Sequence, residues 1–200
     1  MADIARLRID LAEVTPRVRR RIEVPVTLTL DHLHAAIQIA MGWTDTHLYE
    51  FRAGRAVYGV PDPDWGFGGT KILPAKRTRL ADLLADNRKT FTYVYDFGDD
   101  WQHKVRVEAM SAGDPAALYP RLVDGEGRCP PEDVGGPWGY AEFLEAIGDP
   151  SHEQHDELLE WCGGSFDPAD IEEADTRKVM ERFAKHLARR KPRRPAGAAT

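Results

Sequence analysis

The sequence predicts an α+β fold: an antiparallel sheet of about five or six strands, with an early helix packed on it and a C-terminal group of helices. Two observations support this class. Apolar and polar residues alternate in several segments before residue 111, as they do in strands with one buried face. Apolar residues recur every three or four positions in one early segment and again in the last third of the chain, as they do in amphipathic helices.

The first two strands are indicated by alternation on either side of a turn at Thr15 and Pro16. Their apolar faces comprise Leu7, Ile9 and Leu11 in the first strand and Val18, Ile22 and Val24 in the second. Arg20 falls on the apolar face of the second strand, so we expect it to pair with a carboxylate. The opposite face of that strand should form a basic stripe of Arg17, Arg19 and Arg21.

A helix is predicted after Pro25, with Asp31 as its cap and Gly42 as its end. Its apolar stripe comprises Leu33, Ala36, Ile37, Ala40 and Met41. A short strand pair is expected around Gly54, and a longer hairpin from Phe91 to Met110 that turns at residues 97–100. Residues 61–79, between these strand pairs, are expected to form an exposed loop, followed by a helical turn at residues 80–85.

Three helical segments are predicted near the end of the chain. The first two end at Gly148 and at Gly163-Gly164, and the third opens at Asp167-Pro168 and runs through Leu187. A single domain should therefore span residues 1–188. Residues 189–200 are basic and rich in proline and alanine, so we expect a disordered tail.

The net charge of −6 is unevenly distributed. The segment from Arg177 to the end carries nine basic residues and one acidic residue, a charge of +8, which leaves −14 on the remainder. An acidic body repels nucleic acid, so attachment to DNA would depend on the tail and would be weak and insensitive to sequence. The basic residues concerned are Arg189, Arg190, Lys191, Arg193 and Arg194.

Several protein classes are disfavoured by missing patterns. There is no apolar run of membrane-spanning length and no signal peptide at the N-terminus, so we expect a cytoplasmic protein without membrane contact. Two cysteines without CxxC spacing indicate neither a disulfide framework nor a thiolate zinc site. The letters Asp96-Phe97-Gly98 match a kinase motif, but the glycine-rich loop and catalytic loop of a kinase are missing. The serines form no GxSxG elbow.

Two segments carry most of the candidate functional residues. The hairpin turn holds Asp96, Asp99 and Asp100 next to Trp101 and His103. These groups could bind a divalent ion, but no complete metal motif is present, so a structural turn is favoured and no metal or cofactor is expected. The segment from Asp124 to Tyr140 is too rich in Gly, Pro and Asp for a regular element, and it reads equally well as a functional loop or as scaffold. Its candidate residues are Glu126, Glu132, Asp133, Trp138 and Tyr140.

The segment SHEQHDELLEW resembles a zinc-protease motif only superficially. The HExxH motif requires histidines four positions apart, whereas His152 and His155 are three apart. These histidines continue an apolar helical stripe, so we expect them to be partly buried and hydrogen-bonded.

Five ordered motifs resemble the plasmid pRiA4b ORF-3-like family over about residues 4–170: TPRVRRRIEVP, LHAAIQIAMGWTDTHLYEF, YVYDFGDDWQH, CPPEDVGGPWGY and HDELLEWCGGSFDP. The resemblance implies an α+β domain found on plasmids and mobile elements, with no assigned activity. Members are often labelled TnpR-type resolvase passengers of insertion elements. Recombinase chemistry is not supported here. Serine recombinases need a nucleophilic serine near the N-terminus, but the first serine is Ser111. Tyrosine recombinases need a tyrosine near the C-terminus, but the last tyrosine is Tyr140.

The leading functional hypothesis is a non-catalytic binding or regulatory protein associated with plasmids and mobile elements. Its aromatic and acidic loops would form a recognition surface for a protein or small molecule. One alternative is a metal-dependent, hydrolase-like enzyme that uses Asp96, Asp99, Asp100 and His103. A further alternative is a weak DNA-binding accessory protein of a transposable element.

Overall fold

A computed structural model describes residues 3–61 and 71–189 of the chain. In this part of the chain it shows a mixed α+β fold with one sheet of eight strands and five helices. The strands are β1 (Asp3–Leu11), β2 (Arg19–Pro25), β3 (Tyr49–Ala53), β4 (Ala56–Gly59), β5 (Ile72–Pro74), β6 (Thr90–Tyr95), β7 (Trp101–Ala112) and β8 (Arg121–Glu126). The helices are α1 (Leu30–Met41), α2 (Leu80–Leu83), α3 (Gly136–Gly148), α4 (His155–Trp161) and α5 (Glu173–Arg189).

The sheet is larger than the sequence predicted, and its strand order is β5-β4-β3-β6-β7-β1-β2-β8. All neighbours are antiparallel except β4 and β5, which are parallel. The two strands that the sequence did not indicate, β5 and β8, are the two edges. β5 lies in the predicted loop of residues 61–79, and β8 extends into the segment that was expected to lack regular structure. An edge strand has one neighbour and needs little apolar alternation to pair.

The early helix packs on the sheet as predicted, although its start differs. Thr29 occupies the cap position, and Asp31 lies inside the first turn. Gly42 ends the helix with a φ of 90°, and its N–H donates to the carbonyl of Gln38. The apolar stripe of α1 is buried together with the inward faces of β1, β2 and β7. Burial of each larger side chain in this set, such as Leu33 or Ile37, stabilises the fold by about 1.5 to 3 kcal/mol.

The prediction that Arg20 pairs with a carboxylate is wrong. Arg20 is 2% exposed, and its guanidinium donates to backbone carbonyls instead. Nε contacts the carbonyl of Ala40 at 2.7 Å, and Nη1 contacts the carbonyls of Glu126 and Gly127 at 3.1 and 2.8 Å. Burial lowers the pKa of Arg20, while the carbonyl dipoles supply the hydrogen bonds that a buried cation requires. This arginine therefore ties α1 to the end of β8.

The C-terminal helices exist as predicted, with shifted boundaries. α3 begins at Gly136, inside the segment expected to be irregular, and α4 begins only at His155. α5 begins at Glu173 rather than at Asp167-Pro168, and it continues to Arg189, one residue beyond the predicted domain end. It packs against β8 and α1. Within the described ranges, no helix has the length and apolar character needed to cross a membrane.

Candidate functional site

Two segments that the sequence marked separately meet in space. The hairpin tip (residues 96–100), between β6 and β7, contacts the long loop (residues 127–135) that precedes α3. Asp99 accepts a hydrogen bond from the N–H of Gly135 at 3.2 Å. A side chain at Gly136 would place its Cβ 2.6 Å from the Asp99 carbonyl oxygen, and Gly136 has a φ of 70°. Only glycine permits this close approach of the two backbones.

Glu132 fastens the long loop to a third segment, the connector of residues 42–48 between α1 and β3. Its carboxylate accepts hydrogen bonds from both the backbone and the hydroxyl of Thr44, and from Tyr95 Oη at 2.5 Å. Burial alone would raise the pKa of Glu132, but the hydrogen bonds from Thr44 and Tyr95 outweigh it and hold that pKa below its ordinary value. The Glu132 carboxylate therefore has a structural role, because both of its oxygens accept hydrogen bonds from other parts of the protein.

The connector also brings His47 to the junction of the hairpin tip and the long loop. His47 Nε2 lies 2.9 Å from Asp133 Oδ1 and 3.6 Å from Asp96 Oδ2. One possible ligand atom from each of His47, Asp96 and Asp133 lies within 4.8 Å of the other two. His47 was not among the predicted site residues, because it stands in a polar connector where no catalytic or metal-binding motif surrounds it. The only signal for it was a histidine inside one of the five family-like motifs.

The four residues of the predicted metal-dependent enzyme do not form one cluster. In residues 3–61 and 71–189, the group of three or more possible metal ligands is His47, Asp96 and Asp133. His103 lies elsewhere, fully buried on β7, where Nδ1 faces the carbonyls of Tyr93 and Trp101. Burial lowers the pKa of His103 to about 4, despite those two hydrogen bonds. This imidazole is a neutral core residue.

A second buried histidine forms a pair that resembles a catalytic dyad. His34 Nε2 donates to Asp45 at 2.6 Å, and Tyr93 Oη donates to Nδ1 at 2.7 Å. The ring is 4% exposed and stacks on Tyr49 with a centroid separation of 3.6 Å. Burial lowers the pKa of His34, although Asp45 opposes this effect. Both ring nitrogens are occupied, so the pair holds the core together and offers no free base.

The predicted recognition surface is only partly at the surface. Trp101 and Tyr140 lie in the interior together with His103, because each of them packs inside the apolar core. Glu126 is exposed but pairs with Arg19 at 3.2 Å. The predicted residues that remain exposed and can face a partner are Asp100, Asp133 and Trp138.

An acidic groove of about 560 Å³ opens beside the long loop, between α3 and α4. Its charged lining comprises Asp133, Glu142, Glu145 and Glu157, with no Lys or Arg in the lining. Trp161, which is 49% exposed, forms part of the wall, and its ring packs edge-on against the buried ring of Phe143 at 6.0 Å. We call this feature the acidic groove; of its four carboxylates, only Asp133 was predicted as a candidate site residue.

His152 and His155 are partly buried and hydrogen-bonded, which confirms the structural interpretation of their spacing. His155 Nδ1 donates to the carbonyl of Ala146 at 2.9 Å and so joins α4 to α3. His152 Nδ1 accepts the N–H of Gln154 at 3.2 Å. The bond between His155 and Ala146 helps to fix the relative position of the two helices that border the acidic groove, and the bond between His152 and Gln154 shapes the turn between them.

The basic stripe predicted on β2 is neutralised by carboxylates. Arg17, Arg19 and Arg21 each form at least one ion pair with an acidic residue on β1, β7 or β8. Arg189 is the exposed last residue of α5. The other basic residues predicted to contact nucleic acid lie outside the described residues: Arg190, Lys191, Arg193 and Arg194.

Comparisons with known proteins agree with the motif resemblance. The model of the family described as "Plasmid pRiA4b ORF-3-like protein" matches residues 3–175. The uncharacterized protein y4hQ of Sinorhizobium fredii (strain NBRC 101917 / NGR234) is 44% identical over 196 residues, covering 97% of this chain and 99% of that protein. The crystal structure of MM3350, a protein of unknown function from Methanosarcina mazei Go1, superposes with a TM-score of 0.79 at 34% identity, covering 88% of this chain and 98% of that one. The chain belongs to the plasmid pRiA4b ORF-3-like protein family.

Proposed function

We propose that this protein is a non-catalytic recognition protein, and that its acidic groove binds a basic segment of a protein partner. The observation that carries the proposal is the groove itself: four carboxylates line about 560 Å³ beside a half-exposed tryptophan, and the lining contains His152 but no Lys or Arg. A cleft lined by charge of one sign concentrates ligands of the opposite sign. The family description, which refers to a plasmid protein, supports an association with plasmids.

Trp161 favours a guanidinium or ammonium group over a simple cation. An indole face near a carboxylate attracts arginine and lysine side chains, and this contact contributes about 0.5 to 1 kcal/mol at an exposed site. Trp138, which is 78% exposed, lies close by, and its Nε1 donates to Glu142 at 2.9 Å. Exposed tryptophans are enriched at the centres of protein interfaces. The two indoles therefore extend the recognition surface from the groove to the start of α3.

The groove walls are preorganised. Phe143 is buried beneath Trp161, and the bond between His155 and the Ala146 carbonyl joins α3 to α4. The backbone contact between Gly136 and Asp99 fixes the start of α3 against the hairpin tip. A site held in its binding conformation loses less conformational entropy when a ligand arrives.

Calorimetric titration with an acetylated, amidated tetra-arginine peptide tests the proposal. We expect saturable binding that weakens with salt, and no binding of the uncharged tetra-citrulline analogue. Trp161→Ala should weaken binding about fivefold, which corresponds to about 1 kcal/mol of cation–π contact. Glu145→Gln combined with Glu157→Gln should weaken it further, because half of the groove's negative charge is removed.

The matched control is Glu153→Gln combined with Glu160→Gln. These two residues are exposed in the same region but do not line the groove, so this variant has the same net charge as the groove variant. The control should bind the peptide nearly as well as the unmodified protein. Equal losses in the groove and control variants would show non-specific attraction to an acidic body and would overturn the proposal.

A further inference from the structure

We propose that His47, Asp96 and Asp133 form a binding site for a first-row divalent cation, with Mn²⁺ or Zn²⁺ as the fitting ions. The three residues come from the connector, the hairpin tip and the long loop. This site differs from the set considered in the sequence analysis, since it uses neither Asp99, Asp100 nor His103. It also goes beyond the proposed recognition function, because no step of peptide binding requires a metal.

The separations between the candidate ligand atoms fit a shared cation. Ligands about 2.1 Å from a metal lie about 3.0 to 3.4 Å apart when the angle between them is near that of an octahedron or a tetrahedron. His47 Nε2 is 2.9 Å from Asp133 Oδ1 and 3.6 Å from Asp96 Oδ2, and all three atoms lie within 4.8 Å of one another. A cation could contact all three with only small side-chain shifts.

The polar atoms at this junction are not satisfied by one another. His47 Nε2 is buried, and among the described residues it has no hydrogen-bond partner of acceptable geometry, although Asp133 Oδ1 is close. Asp96 is 8% exposed; its Oδ1 accepts the N–H of Gly98 at 2.9 Å, and its Oδ2 faces the imidazole. A buried nitrogen without a partner is unfavourable, and a cation would satisfy its lone pair.

Neighbouring groups position the three ligands before any ion arrives. The ring of Tyr95 packs edge-on against His47 at 5.8 Å, and Tyr95 also hydrogen-bonds Glu132, the residue before Asp133. The N–H of Asp96 donates to the carbonyl of Leu48, the residue after His47. Hydrogen bonds therefore connect residues adjacent to His47 and Asp133 with the end of β6. Such outer hydrogen bonds orient metal ligands.

The ligand set indicates which cations fit. Imidazole favours zinc and other later first-row ions, and carboxylates favour manganese, magnesium and calcium, so one imidazole with two carboxylates fits zinc or manganese. Three protein ligands leave coordination positions open. The side chain of Asp133 is 70% exposed, so those positions face solvent on the side where Asp133 also borders the acidic groove.

Calorimetry on tag-free, chelator-treated protein tests the site, with Mn²⁺, Zn²⁺ and Mg²⁺ as the titrants. We expect one Mn²⁺ or Zn²⁺ per chain at micromolar affinity or better, and weaker binding of Mg²⁺. His47→Gln and Asp133→Asn should each weaken binding by at least about tenfold. Electron paramagnetic resonance of the Mn²⁺ complex should lose the bound-ion signal in both variants.

Asp100→Asn is the matched control, because Asp100 lies on the same hairpin tip and its carboxylate bonds Gln102. It should bind metal as the unmodified protein does. Failure to bind any of the three ions below about millimolar concentration would overturn the proposal, as would undiminished binding by His47→Gln and Asp133→Asn. Peptide binding separates this proposal from the recognition function, since His47 does not line the groove and His47→Gln should leave that binding unchanged.

Discussion

The outer face of the sheet and the acidic groove both contain many carboxylates, but only the carboxylates of the sheet are matched by arginines. The matched sets are Asp10 with Arg8 and Arg17, Glu23 with Arg6 and Arg121, Glu108 with Arg21, and Asp124 with Arg19 and Arg21. In the part of the chain that is described, no groove carboxylate forms an ion pair with Lys or Arg. Charge on the sheet therefore serves the fold, whereas the groove carboxylates have no Lys or Arg partner among the described residues and supply the charge that the proposed recognition requires.

The register of the sheet shows why the matching matters. Arg8 lies directly opposite Arg21 on β2 and Arg106 on β7. Like charges directly opposite each other destabilise a sheet. Asp10 forms an ion pair with Arg8, and Glu108 forms one with Arg21. The carboxylates of this face therefore permit a strand pairing that arginines alone would oppose.

The largest expected loss of stability comes from replacing Arg20, the buried arginine of β2. Arg20→Met should lower the free energy of unfolding by about 4 kcal/mol, because it leaves several carbonyls buried without donors. Arg17→Met should cost less than about 1 kcal/mol, since Arg17 is exposed and, among the described residues, its ion pair is with Asp10. Urea unfolding of the two variants measures both values. Equal losses would show that the carbonyl contacts of Arg20 do not stabilise the fold.

The second largest effect is a loss of unfolding free energy at acidic pH, which originates from the buried His103. The pKa of His103 falls from 6.5 to about 4 on burial, so the unfolded chain takes up a proton between these values while the folded protein does not. Stability is therefore lost as the pH falls from 6.5 to 4, by up to about 3 kcal/mol. Unfolding free energies measured across this range should show a slope that His103→Gln reduces, with a remaining part from His34, whose pKa burial also lowers. A slope unchanged by the substitution would contradict the neutral, buried state of this histidine.

A smaller loss of stability is expected when a carboxylate on the outer face of the sheet is replaced, and this loss can be compared with the effect of replacing carboxylates in the acidic groove. Glu23 is nearly buried between Arg6 and Arg121, and Glu23→Gln should cost about 1 to 2 kcal/mol after allowance for the half-exposed arginines. Burial would raise the pKa of Glu23, but the two arginines hold it below its ordinary value. This contribution is present above the unfolded pKa of 4.5 and is lost as the pH falls below it.

The corresponding change in the groove should be nearly neutral. Glu145→Gln with Glu157→Gln should alter the free energy of unfolding by no more than about 0.5 kcal/mol, because neither carboxylate has an arginine or lysine partner among the described residues. Thermal and urea unfolding of this double variant, beside Glu23→Gln, give the comparison. A loss in the groove variant as large as that in Glu23→Gln would mean that the groove charges also serve the fold.

The sequence predicted the parts of the fold that have a local period. Alternation located β1, β2, β6 and β7, and the three- and four-residue spacing located α1. β8 was missed because its outward residues are charged partners of β2 and its strand contains Gly125, so its pairing depends on contacts distant in sequence. β5 has only three residues and pairs at one edge.

The candidate sites could be predicted only in part. The hairpin tip and the long loop were marked by composition, but Tyr140, His103 and Trp101 are buried, where their aromatic rings pack in the interior. His47 and Asp133 carry no local pattern that relates them, since they meet only when three segments converge on Glu132 and Tyr95. Convergence of this kind is a property of the folded chain.

The most direct test of the recognition function is nuclear magnetic resonance of the tryptophan indole N–H signals during titration with tetra-arginine. Trp161 borders the groove and Trp138 lies beside it, whereas Trp43 and Trp101 are buried in the core. We expect saturable shifts of the Trp161 and Trp138 signals, with those of Trp43 and Trp101 nearly unchanged. Saturable peptide binding that leaves the Trp161 signal in place would contradict it, because the ligand would then occupy another surface.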